Sequence, residues 1–318
     1  MKTQLRTGTF EIFRFAAVIS AFTFLPILSS AQSSTAASAK QAKPVKTAAA
    51  PKTGYAPVNG LKLYYEIHGN GEPLVLLHGG LGATSMFGDN LPALAKVRKV
   101  IAIDLQGHGR TADIDRELSV EFMADDVAAL LKHLNIEKAD IMGYSMGGGV
   151  ALQTAIRHPE VVNKLIVASA PFKRSGFYPE ILSQQAQVGP EAAEMMKQTP
   201  MYQLYASIAP KPNDWARLLS KIGDAMKKDY DWTESIKTIK APTLVIAADA
   251  DIFPPSHAVE LYGLLGGGQR DAGWDGSLRS ANQLAILPNA THYNLFLSPS
   301  LSTTAISFLN NSGTQGKW

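Results

Sequence analysis

A chain of 318 residues without a single cysteine can form no disulfide, no thiolate nucleophile and no cysteine-ligated zinc site. Its formal charge of +3 sits at the N-terminus: residues 1–31 carry +2 and residues 32–53 carry +4, leaving −3 on the remainder. Phosphate binding needs a basic face on the folded part, so no nucleic-acid partner is expected.

Lys2, Arg6 and Arg14 precede an apolar run from Phe15 to Leu28, and Ser29-Ser30-Ala31 follows. This pattern predicts a secretory signal peptide over residues 1–31, cut after Ala31. The alternative is a retained anchor, but the run is 14 residues long and broken by Pro26, short of the ~20 that span a bilayer. An exported protein, periplasmic or secreted, with no stable membrane span after cleavage is expected. Residues 32–53, rich in Ala, Ser, Lys, Thr and Pro without aromatics, bury too little apolar surface to order themselves and predict a flexible leader. One α/β body is then expected over residues 54–318.

Strands are predicted at Tyr55–Val58 and Leu61–Ile67, joined by the turn Asn59-Gly60. Pro73–Leu77 and Val100–Ile103 read as strands buried on both faces. Apolar spacing over Ser119–Leu134 predicts a helix capped by Ser119. The strand Ala139–Met142 runs into Gly143-Tyr144-Ser145-Met146-Gly147-Gly148, and a helical run ends near His158-Pro159. Further strands are expected at Lys164–Ala168, Thr243–Ala247 and Leu284–Leu287, with a helix at Ser256–Leu265 between the last two. Alternating strand and helix predicts a mostly parallel sheet covered on both faces. One stretch, about residues 171–240, is too long for a simple crossover and rich in Met, Tyr, Phe and Trp, including a helical patch at Trp215–Lys228. It reads as a small helical cap over the carboxyl edge of the sheet. The Gly-rich segment 266–276 reads as a structured surface hairpin; its acidic residues are too sparse for a calcium loop.

Strand, sharp turn and helix around Ser145 predict an exposed nucleophile, with small residues where the turn is tightest and the N–H of Met146 beside it. A serine needs a base, the base an orienting acid, and the reaction an oxyanion site. The acid is expected beyond the strand Thr243–Ala247, where Asp249 and Asp251 compete. Asp251, further into the loop, is the choice, and Asp249 is expected to cap the turn. The end of the preceding strand, Ala168-Ser169-Ala170, offers no carboxylate. His292 is the one histidine after the last predicted strand, and is the expected base. His257 is expected to start a surface helix, and His78 and His108 sit at strand–loop junctions beside glycines. In His78-Gly79-Gly80-Leu81-Gly82 the backbone can turn its N–H groups toward a ligand; Gly80 with Met146 is the expected oxyanion pair, with Leu81 in reserve.

These pieces, in this order, resemble the α/β-hydrolase superfamily: His78-Gly79-Gly80, Asp104–Thr111, Gly143–Gly148, Asp249–Pro254 and Thr291-His292. The resemblance spans about residues 55–312 and implies an eight-stranded sheet, a cap between strands six and seven, and no cofactor; the residues themselves suggest no metal site. The family usually has Arg where Gln106 stands, Ser where Thr111 stands, Gly near Ala248 and Gly where Thr291 stands. The function expected is a serine hydrolase that cleaves a small-molecule carboxylic ester. The alternatives are the same triad acting on a lactone, an amide, a C–C bond or peroxide, and a non-catalytic binding protein on the same scaffold.

Overall fold

The structure is a computed structural model and describes residues 50–311. The expected signal peptide and most of the expected leader lie outside the described residues. Chain order is β1 (Lys52–Val58), β2 (Leu61–His68), β3 (Pro73–Leu77), α1 (Asn90–Ala95), β4 (Lys99–Ile103), α2 (Val120–His133), β5 (Ala139–Tyr144), α3 (Met146–Arg157) and β6 (Val162–Ala168). After these come α4 (Pro179–Gln185), α5 (Ala193–Met196), α6 (Pro200–Ile208), α7 (Trp215–Lys227) and α8 (Thr233–Ile236), then β7 (Thr243–Ala250), α9 (Pro255–Leu264), β8 (Gln283–Thr291) and α10 (Pro299–Asn310). β1 starts two residues before the expected boundary at Gly54, because Lys52 and Thr53 pair with Ile67 and Glu66 of β2. No helix among the described residues is long and apolar enough to cross a membrane.

The eight strands form one sheet in the order β1-β2-β4-β3-β5-β6-β7-β8, antiparallel at β1/β2 and β2/β4 and parallel elsewhere. This is the α/β-hydrolase fold. Alternation along the central strands sends Val75, Leu77 and Ile141 to one face and Leu74, Leu76 and Met142 to the other, where two separate cores form. α2 and α3 cover the first face, with Met123, Val127, Leu130 and Leu131 of α2 fully buried. Burying each such side chain stabilises the fold by roughly 1.5–3 kcal/mol. The Ser119 hydroxyl accepts from the N–H of Phe122, as its capping role requires. α1 and α10 cover the second face.

The helices between β6 and β7 join the first core without a break. Trp215, Leu218, Leu219 and Ile222 of α7 and Tyr205 of α6 are buried in it. Arg217 Nε and Lys221 Nζ both lie 2.7 Å from Asp113, which ties α7 to the loop after β4. Residues 266–276 differ from expectation: they make successive turns, closed by bonds such as Leu278 N–H to Ala272 O at 2.9 Å, with no strand pairing. Glycines at φ +85°, +63°, +78° and +71° bend the segment too often for a ladder to form.

Candidate active site

The strand order reverses at β3, which lies between β4 and β5. In open α/β sheets such a reversal opens a crevice beyond the strands' carboxyl ends. The loop His78–Gly82 leaves β3 there, and Ser145 leaves β5.

Ser145 sits between β5 and α3 at φ 54° and ψ −121°, a left-handed backbone that a serine adopts only under strong local constraint. The constraint is visible in the glycines around it. A Cβ on Gly143 would lie 1.9 Å from Gly147 O, and one on Gly147 would lie 2.3 Å from Leu77 O. Strand end and helix start can approach this closely only without side chains. Ser145 N–H is fixed by Ala168 O at 2.9 Å, and Ser145 O accepts from the N–H groups of Gly148 and Gly149 at 2.8 and 3.1 Å. The side chain is left half-buried at the crevice.

The structure brings Ser145, His292 and Asp251 into one hydrogen-bonded line. Ser145 Oγ is 3.0 Å from His292 Nε2, and His292 Nδ1 is 2.9 Å from Asp251 Oδ1. With Nδ1–H donating to the carboxylate, Nε2 is free to accept from the serine hydroxyl. A register shift in the β7/β8 pairing, between Ala248 and Ala250, lets Ala250 pair with Thr291 and sets the two following loops side by side. Asp251 is 8% exposed, and its carboxylate accepts four bonds. Oδ1 takes Ile252 N–H at 2.9 Å besides His292; Oδ2 takes Ala248 N–H at 3.0 Å and the Ser169 hydroxyl at 2.5 Å. Burial alone would raise its pKa, but the bonds from His292, Ser169 and Ala248 outweigh that and hold it below the usual carboxylate range.

Asp249 has the other role. It is exposed and accepts from the N–H groups of Ala290 and Asn289, both at 3.0 Å, which pins the turn just ahead of His292. These two bonds keep its pKa low.

The β3 loop turns between Gly79 and Gly82, whose N–H donates to Gly79 O at 3.2 Å, with Leu81 at φ 59°. Gly79 packs on Ser145, a Cβ there falling 3.3 Å from Ser145 Cβ. A Cβ on Gly80 would meet nothing within 4 Å, so this residue faces open space. Among the described residues the N–H groups of Gly80 and Met146 have no hydrogen-bond partner. Both residues are half-buried, on two chain segments that meet at Ser145. His78 anchors the turn from below: Nδ1–H donates to Gly79 O at 2.7 Å, and Nε2 accepts from Leu105 N–H at 3.0 Å. This buried, neutral imidazole has its pKa pushed down to about 4 by desolvation. His108 Nδ1 bonds Gln106 O at 2.8 Å, and burial pushes its pKa down to about 3.

Two residues of the site went unread in the sequence. The Tyr144 hydroxyl, buried under the elbow, donates to the backbone carbonyl of His292, so consecutive residues hold both ends of that histidine. Burial, then the Asp251 charge, raises its pKa far above the ordinary value and keeps it a donor. Ser169, at the end of β6, reaches Asp251. His257 also departs from expectation: it is 4% exposed, and its ring stacks at 4.3 Å on Phe172, in the segment that follows β6. Two of the departures from the family pattern, at Gln106 and Thr111, are filled locally. Arg116 Nε bonds Gln106 Oε1 at 2.8 Å, bringing a guanidinium from ten residues on. The Thr111 hydroxyl donates to Asp104 O at 2.6 Å.

The profile of the alpha/beta hydrolase fold matches residues 72–199. An uncharacterised protein of Mycobacterium tuberculosis is 38% identical over 129 residues, 40% of this chain and 38% of that one. The 2-hydroxymuconate semialdehyde hydrolase of a Pseudomonas species is 40% identical over 112 residues, 34% of this chain and 40% of that one. The chain thus spans two fifths or less of the length of these curated relatives. Among solved structures, carboxylesterase CesB of Bacillus subtilis superposes with a TM-score of 0.64 at 19% identity, over 85% of this chain and 93% of that one.

Proposed function

We propose that this chain, a hydrolase of the α/β-hydrolase superfamily, cleaves a carboxylic ester through an acyl-enzyme on Ser145. One observation carries the reading: Ser145 Oγ, strained into the crevice, lies 3.0 Å from His292 Nε2, whose other nitrogen is bonded to Asp251. Serine is a weak nucleophile at neutral pH, and a base at this distance removes the obstacle. In the first half-reaction Ser145 Oγ attacks the ester carbonyl carbon while its proton passes to His292 Nε2. The carbonyl oxygen becomes an oxyanion, which the free N–H groups of Gly80 and Met146 receive. Collapse breaks the C–O bond, and the imidazolium gives its proton to the departing alcohol. Water then repeats the sequence on the acyl-enzyme and releases the acid.

The cap between β6 and β7 sets which acyl group enters. The carboxylesterase likeness supports an ester, and residues 1–31 support action outside the cytoplasm, to be checked by the N-terminus of the purified mature protein. A panel of p-nitrophenyl esters of increasing chain length, run beside lactone, amide, C–C and peroxide substrates, tests the bond. Ester turnover that disappears in Ser145→Ala with the melting temperature unchanged is expected. Turnover retained in that variant, or confined to another substrate class, overturns the proposal.

A further inference from the structure

Asp251 has two oxygens, and only Oδ1 faces His292. The other is held by Ala248 N–H and by the hydroxyl of Ser169. Ser169 is the first residue after β6, is fully buried, and stands at φ 49°. A left-handed backbone at a serine is costly and persists where the surroundings over-determine it. Here its N–H continues the sheet, donating to Ile246 O at 2.8 Å, while its side chain turns to Asp251 Oδ2 at 2.5 Å. The residue therefore does two things at once, and the second is what the unusual backbone angle achieves.

We propose that Ser169 is a positioning residue for the acid of this site: its hydroxyl fixes Asp251 in rotation about Cβ–Cγ, so that Oδ1 stays aimed at His292 Nδ1. The inference rests on the reading of Ser145, His292 and Asp251 given above. Without Ser169 the carboxylate keeps one backbone N–H on each oxygen, Ile252 on Oδ1 and Ala248 on Oδ2, both from its own loop. The Ser169 hydroxyl is the one donor from another segment, just after β6, and it fixes Oδ2 from outside that loop. The hydrogen bond is charge-assisted and buried, the class in which loss of a donor is felt most. The carboxylate bonds the imidazole and the Ser169 hydroxyl bonds the carboxylate, so the effect reaches the chemistry through Asp251.

Three variants separate this role from simple packing. In Ser169→Ala the hydroxyl goes and the strained backbone stays. In Ser169→Gly the strain goes as well. Both are expected to lose about 10- to 100-fold in kcat on a short-chain p-nitrophenyl ester with KM little changed. The glycine variant is expected to melt no lower than the alanine one. In an Asp251→Asn background, Ser169→Ala is expected to cost less than twofold more, because residues acting as a unit are not additive. If Ser169→Gly keeps kcat within twofold of wild type, or if the loss multiplies in full onto Asp251→Asn, the inference is overturned while the reading of Ser145 stands. Wild-type protein with no ester turnover overturns both.

Discussion

Asp249 and Asp251 are two residues apart, both bonded to the His292 loop, yet the structure gives them opposite weights. In Asp251→Asn one carboxylate oxygen becomes an amide NH2, which cannot accept. If it takes the place of Oδ1, the bonds to His292 Nδ1 and Ile252 N–H are lost; if it takes the place of Oδ2, it faces the Ala248 N–H. Either way the buried negative charge that stabilises an imidazolium is gone. A loss of about 10⁴ in kcat accompanies this change in the worked serine-protease template, and a loss of that order is expected here with KM little affected. In Asp249→Asn an exposed carboxylate loses part of its hold on Asn289 and Ala290 N–H, neither of which touches the reacting atoms. Its kcat is expected to stay within about threefold of wild type. Initial rates of p-nitrophenyl butyrate hydrolysis, with melting curves to show both variants folded, make the comparison. A folded Asp251→Asn enzyme with more than a tenth of wild-type kcat, or a larger loss from Asp249→Asn, refutes the assignment.

Acid stability gives a second test. His78 and His108 have folded pKa values pushed to about 4 and about 3, against 6.5 for the ordinary side chain. The unfolded chain therefore takes up protons that the folded one refuses, and stability present above pH ~6.5 is lost as pH falls toward 4. At pH 5 the loss is roughly 2 kcal/mol for each histidine, read as a lower guanidinium midpoint than at pH 7.5; equal stability at the two pH values contradicts it. Asp251 titrates below 3.8 and does not contribute in that window. The glycines supply the third test. Gly147→Ala drives a Cβ to 2.3 Å from Leu77 O and is expected to cost at least about 1–3 kcal/mol of stability. Gly80→Ala meets no atom and is expected to leave the melting temperature unchanged. The reverse ranking in thermal melts would show that the elbow is not packed as described.

The elbow was legible because its chemistry is written in consecutive residues: only glycine fits at 143 and 147, and the serine between them has no other reason to be there. Asp251 and His292 were legible from strand order, since a parallel sheet delivers the ends of β7 and β8 to the same edge. The helical insertion between β6 and β7 was legible as a stretch of aromatic residues too long for a crossover, but its attachment through Asp113, Arg217 and Lys221 was not, because ion pairs between distant segments leave no local pattern. Ser169 was passed over for the same reason. A search for carboxylates at the end of β6 finds none, and a small hydroxyl there matters only once β7 has placed Asp251 beside it. Tyr144 occupies a position where any residue satisfies the turn, so its bond to His292 appears only when the two loops meet. His257 looked exposed because a proline-led helix start is usually solvated; stacking on Phe172 buries it instead. The 266–276 segment failed as a hairpin because glycines that permit a turn also prevent a ladder.

The central claim is that Ser145 is an activated nucleophile. Treating the purified protein with a fluorophosphonate and sequencing the modified peptide by mass spectrometry tests it without knowledge of the substrate. A single adduct on Ser145, formed at least a hundredfold more slowly in His292→Ala, is the predicted result. A folded protein whose Ser145 stays unlabelled, or labels equally fast without His292, would contradict the account.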